Sequence, residues 1–393
     1  MDFTSLKEFM DGMAENYYPG CAINVCVKGK TVFTYGAGYA DLETKTPFSP
    51  DDYVYIYSCS KVTTAVAGCQ LLEKGKFLLN DPLHEYMPEY KNMTVLENDG
   101  ALREAKRPIL VGDLFSMTAG FNYDLKNDGI LKAGELTGGK FNTAQVARSI
   151  ASVPLGFDPG DHWRYSLCHD VLGGFIEVVS GMKFRDYVKK NIFDPLGMTR
   201  SFYHATEDIK SKMASQYTFV AKGESTELDI VQAQKYGTAL DGTFVNVGKT
   251  NHHILGEEYD GGGAGIISTA NDYVKLAAAL AAGGRGQTGE YILSPYTVEL
   301  MKTNRLTPAQ MNDFNWPALR GYGYGLGVRT HIDKAQSGST SNLGEFGWGG
   351  AAASTLIADT ACELAVFLTQ HCLNPRESWY QPRLRNVVYS CLK

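Results

Sequence analysis

No apolar stretch in this chain reaches the roughly 20 residues that a membrane-crossing helix needs. Long basic runs are missing too: 37 lysines and arginines face 43 aspartates and glutamates, a net charge of −6. That balance argues against nucleic acid or a membrane surface as a partner. The eight cysteines (Cys21, Cys26, Cys59, Cys69, Cys168, Cys362, Cys372 and Cys391) form no CxxC pair and no short paired spacing. Reduced core thiols are therefore expected, rather than structural zinc or a disulfide framework. There is no internal repeat, and low complexity is confined to the short stretch 337–342. With 44% hydrophobic and 20% charged residues, disordered, collagen-like and coiled-coil classes are excluded, and a soluble globular enzyme remains.

The first 18 residues carry acids throughout and lack a basic start and an apolar stretch, so they do not read as a secretion signal. Phe3, Leu6, Phe9, Met10 and Met13 recur at helical spacing, which predicts an amphipathic helix ending before Pro19-Gly20. A cytoplasmic location is the expectation. Two β-rich runs around Lys28-Gly29-Lys30 predict a hairpin, and a third strand, 52–57, leads into Ser58. A helix follows from Lys61 to Lys74, closed by Gly75. The middle of the chain is mainly helical, 219–261 reads as a long polar loop or lid, and a helix is expected over 269–282. Strands return over 321–330, 352–358 and 363–369, with a final helix from about Pro382 to Cys391.

Three places carry chemistry. In Ser58-Cys59-Ser60-Lys61 the two ends share one helix face, so the Lys61 amine reaches the Ser58 hydroxyl. The helix N-terminus there favours developing negative charge, and a desolvated lysine can remove the serine proton. A second such spacing, Ser180 to Lys183, follows a helix that Gly181 caps, at the wrong end for catalysis. Tyr165, before the 171–179 helix, becomes a proton shuttle if a neighbouring lysine cation lowers its phenol. Trp348-Gly349-Gly350 precedes a strand, and its glycines allow close backbone approach to a ligand.

In this order these pieces resemble the serine β-lactamase and penicillin-binding-protein superfamily, most closely the class C-like β-lactamases and family VIII carboxylesterases. Supporting stretches such as 112–120, 195–198, 262–265 and 321–327 are similar as well, so the resemblance runs through nearly the whole chain. It implies an α/β (α+β) fold of β-lactamase/DD-peptidase type. An antiparallel sheet would be built from both chain ends and flanked by helices, with an inserted, mainly helical lobe. Length alone allows two or three domains, but one site needs both Ser58 and Trp348. A single catalytic unit over 1–393 is therefore expected, with a sheet lobe of about 1–75 and 262–393 and a helical lobe and lid of about 76–261.

By the resemblance, Ser58 is the nucleophile, Lys61 and Tyr165 share proton transfer, and the Ser58 and Ala351 N–H groups form an oxyanion hole. Trp348, Gly349, Gly350, Tyr123 and Leu167 are expected to line the substrate pocket. The chain departs from the lactamases where Leu167 replaces the asparagine of Tyr-x-Asn and Trp348 replaces the cation of the third motif. Both changes remove polar recognition of a β-lactam and match the esterase-like members. The resulting expectation is a serine hydrolase acting on small-molecule esters through an acyl-serine, without metal or organic cofactor. Acyl transfer to an alcohol or amine, D-aminopeptidase or weak β-lactamase activity, and a silent binding protein on this fold are the alternatives. The Gly284–Gly289 GxGxxG pattern follows a helix and reads as a turn, and His252-His253 as a solvated pair. His162 and His169 flank Tyr165 and read as structural, and no GxSxG elbow occurs.

Overall fold

A computed structural model describes residues 1–221, 242–373 and 376–393. Its centre is an antiparallel sheet whose spatial order starts in the C-terminal half and finishes in the N-terminal one. The strands run Tyr322–Tyr324, Arg329–His331, Phe346–Gly349, Thr355–Asp359, Leu364–Gln370, Gly20–Val27, Lys30–Asp41 and Thr46–Pro47. The join of the two ends is the register Ile23 opposite Leu368 and Val25 opposite Val366.

Alternation along the strands supplies two buried faces. Ile23, Val25, Ile357, Val366 and Leu368 pack against the helices Thr4–Asn16 and Glu377–Ser390. Ala22, Leu356, Ala358, Ala365 and Phe367 face the opposite way, into the larger core that holds the helices Ser60–Glu73 and Ala270–Ala281. Strand Leu364–Gln370 is buried at every residue, as a central strand covered on both sides must be. All eight cysteines are free, and seven of them are buried.

The N-terminal helix, the hairpin and the helix after Ser58 form where the periodicity puts them. Three expectations change. Of the 52–57 strand only Val54–Tyr55 is extended, paired with Ile267–Ser268, because the chain turns into a 3₁₀ helix at Tyr57. The last helix starts at Glu377 rather than Pro382; the proline sits inside it instead of opening it. The polar segment read as a loop has paired strands at its edges: Gln216–Ala221 bonds antiparallel to Gly242–Gly248. Residues 222–241 of that lid reading lie outside the described residues. Among the described residues no helix is long and apolar enough to cross a membrane.

Candidate active site

The sheet and the helical region meet at Ser58. The residue before it, Tyr57, has φ +46°, a left-handed conformation that costs a bulky side chain about 1–3 kcal/mol. Burial of its ring and a hydrogen bond from its hydroxyl to Gln216 Oε1 hold that turn. Ser58 is consequently delivered half-buried to a pocket wall, in the 3₁₀ turn that runs into helix Ser60–Glu73. One turn on, Lys61 is fully buried, and its Nζ donates to Gly263 O (2.7 Å), Ser58 Oγ (3.2 Å) and Tyr123 OH (3.3 Å). Burial lowers its ammonium to about 8, against the opposing pull of Asp170. Ser58 and Lys61 thus meet as their spacing requires.

Tyr165 joins them through stacking. Its ring lies 5.3 Å from Tyr123 at 8° and 5.7 Å from Trp348 at 25°, and Trp348 Nε1 donates to its hydroxyl (3.4 Å). The expected lowering of its phenol by the lysine does not occur. Lys61 Nζ sits 4.6 Å over the ring face rather than beside the oxygen, and burial pushes the phenol well above its ordinary value. Tyr165 is therefore a proton donor at neutral pH. Tyr123, expected as a wall, also reaches the amine, and burial raises its phenol too.

These groups open on a cavity of about 340 Å³. Trp348, Gly349, Gly350 and Ala351 form one side, where strand Phe346–Gly349 runs past Ser58. Gly350 is needed for that approach, since a Cβ there would lie 2.3 Å from Ile56 O. Ala351 lines the same cavity as Ser58. Leu167 is a correction. It is 1% exposed inside the core, at the start of helix Cys168–Ser180, and does not line the cavity. Leu167→Ala is accordingly expected to cost about 2–5 kcal/mol of stability, measured by chemical unfolding. A raised KM in a protein of undiminished stability would return Leu167 to the pocket.

Six lining residues escaped the sequence reading: Trp316, Leu319, His253, Arg329, Glu377 and Gln381. His253 is not solvated; its ring packs edge-on against Tyr57 and Tyr123, both at 5.8 Å, while His252 is exposed. Asn251 gives its Nδ2 to Ala264 O, so its Oδ1 receives the His253 Nδ1 proton, and desolvation lowers that imidazole to about 3. Arg329 supplies a cation that Trp348 had seemed to remove, reaching in from the neighbouring strand where it pairs with Gly347. Glu377 is raised to about 7 by burial, with Arg385 and Arg329 opposing. Asp170 is a further miss: it is buried against Lys61 and accepts from Tyr259 OH (2.6 Å) and Gly263 N (3.2 Å). A carboxylate three residues past Leu167, on the inward face of an apolar helix, was the available signal.

The residues set aside stay aside. Ser180 ends its helix beside Gly181 and accepts from Met182 N. His162 bonds Asp313, His169 is buried against Phe115 O, and the Gly284–Gly289 stretch is a turn. Among the described residues no cluster of three or more His, Cys, Asp or Glu is placed to hold a metal ion.

A serine carrying a desolvated lysine and a phenol, on a sheet closed by both chain ends, is the arrangement of a serine hydrolase. The chain belongs to the Beta-lactamase family, whose model matches residues 7–385. It is 25% identical over 374 residues to esterase EstB of Burkholderia gladioli, covering 92% of this chain and 88% of that one. It is 28% identical over 272 residues to lovastatin esterase of Penicillium rubens, covering 67% and 62%. Among solved structures, EstCE1, described as a hydrolase with promiscuous acyltransferase activity, superposes with a TM-score of 0.75 at 22% identity, over 98% of both chains. Named esterases are among the relatives, in keeping with the superfamily resemblance of the sequence.

Proposed function

We propose that the protein cleaves carboxylic esters through an acyl-Ser58 intermediate. The observation that carries this reading is the pairing of a lysine lowered to about 8 with a serine 3.2 Å away, in a pocket walled by Trp316, Trp348, Tyr123 and Tyr165. As the free amine, Lys61 takes the Ser58 proton while Oγ attacks the ester carbonyl. The oxygen that becomes negative lies toward the N–H groups of Ser58 and Ala351. The Tyr165 phenol protonates the departing alkoxide, and the Lys61 ammonium restores the phenol through the hydroxyl of Tyr123, which it contacts and whose ring stacks on Tyr165. Water then attacks the acyl carbon and gives its proton to Lys61, and Ser58 leaves by taking a proton back.

An aromatic wall suits an apolar acyl or alkoxy group and offers a β-lactam no second-motif amide. Short p-nitrophenyl esters should therefore turn over at least about 100-fold faster than nitrocefin, the two differing by an interaction set of about 3 kcal/mol. Faster nitrocefin turnover would make the protein a lactamase. A fluorophosphonate should label Ser58, and unlabelled, folded protein would end the enzyme reading. Acyl transfer is the second reading, favoured by the same aromatic walls, which receive an alcohol as readily as they receive the leaving group. Partition of the acyl group to added alcohol over water decides between them.

A further inference from the structure

The cavity is aromatic near Ser58 but polar at its other end, and that end plays no part in the steps above. Arg329, 1% exposed, stands where strand Arg329–His331 begins and the edge of Trp348–Gly349 is left open. Its Nη2 donates to Glu345 Oε1 (2.9 Å), but its Nε and Nη1 are buried with no hydrogen-bond partner. Such unsatisfied donors cost stability unless a ligand meets them. From the first two turns of helix Glu377–Ser390, Glu377 and Gln381 reach the same place. Gln381 Oε1 accepts from Arg385 Nη2 (3.2 Å), which turns its Nε2 toward Gly349. A Cβ on Gly349 would lie 3.0 Å from that Nε2 and 3.2 Å from Glu377 Oε1. Glycine is what leaves both groups open to the cavity.

We propose that this end of the pocket is a subsite for a neutral amide group carried by the substrate, seated behind Gly349. The inference rests on the ester-hydrolase reading and narrows its substrate class to esters bearing a carboxamide or peptide unit. A carboxylate oxygen beside an amide donor offers one acceptor and one donor, the complement of an amide N–H and C=O. The amide oxygen accepts from Gln381 and Arg329, and the amide N–H donates to Glu377. Charge points the same way. The buried cluster sets two cations, Arg329 and Arg385, against Glu345 and Glu377, and with Glu377 ionised a neutral ligand leaves it balanced. A carboxylate would face Glu377, and an ammonium would face Arg329.

The test uses p-nitrophenyl esters of equal chain length ending in carboxamide, carboxylate, ammonium or methyl. Binding is read by calorimetry on the Ser58→Ala protein, which holds the ester without cleaving it, and kcat/KM is read on the unaltered chain. The carboxamide ester should bind about tenfold more tightly than the methyl one, the value of one hydrogen bond to a charged group. Glu377→Gln, Gln381→Leu and Gly349→Ala should each shrink that ratio. Tighter binding of the carboxylate or ammonium ester, or no discrimination, overturns the subsite. Because binding needs no turnover, loss of fluorophosphonate labelling would fail the hydrolase reading separately.

Discussion

Replacing Ser58 by alanine is expected to lower kcat for a short ester by about 10⁶-fold, the loss typical when the attacking atom of an interdependent set is deleted. The expectation follows from how completely the neighbouring groups are arranged around that one oxygen. Lys61 Nζ lies 3.2 Å from it, and the left-handed Tyr57 immediately before it turns the chain there. Without Oγ no acyl-enzyme forms, so what survives is water attack on a carbonyl held in the proposed oxyanion hole. Adding Lys61→Met to Ser58→Ala should then cost almost nothing more, because a base with no serine proton to take has lost its task. Ser180→Ala should leave the rate within error, since that hydroxyl accepts from Met182 N at a helix end. Mass spectrometry after a slow ester substrate should find the acyl adduct on the peptide containing Ser58. An adduct on Ser180, or a residual rate within tenfold of the parent, would remove Ser58 as nucleophile.

The reach of the sequence reading ended at packing. Ser58 and Lys61 were legible because i, i+3 on a helix is a geometric fact before any fold is known. The sheet closed by both ends was legible from strand periodicity at 21–36 and 352–369 together with motif order. Leu167 misled because chain order places it beside Tyr165, whereas helix Cys168–Ser180 turns its side chain into the core. The Tyr165 phenol misled because a cation near a residue is not a cation near its oxygen; Lys61 lies over the ring face. Arg329, Glu377 and Trp316 belong to three segments with no local motif, and only sheet register and helix docking bring them to one cavity. His253 needed the contacts of Tyr57 and Tyr123, nearly 200 and 130 residues earlier in the chain, to be seen as a wall.

The rate of ester cleavage should rise tenfold per pH unit from about pH 6 and level off above about 8, in kcat/KM, because that parameter follows the free enzyme. The sign comes from the base. Only the uncharged Lys61 amine can accept the Ser58 proton, and burial sets its ammonium at about 8, so protonation below that value removes active enzyme. No falling limb should follow on the alkaline side up to pH 10, because burial holds the Tyr165 phenol, the acid, well above its usual range. Lys61→Arg tests the argument more sharply than removal does. A guanidinium keeps the charge but cannot give up its proton at any working pH. It should lose as much as Lys61→Met, about 10²–10⁴-fold, the usual span of general base catalysis. If the lysine acted only as a fixed cation, the arginine variant would keep most of its rate. Asp170→Asn removes the largest influence that opposes burial at the amine. Asp170 is the largest influence favouring the ammonium, with the Cys59 and Cys168 thiols adding to it and burial opposing it, so removing the carboxylate should move the rising limb below 8. A limb that stays in place would mean that Asp170 is protonated and silent. A limb that moves upward, or a flat profile in the parent from pH 6 to 9, would take the base role from Lys61.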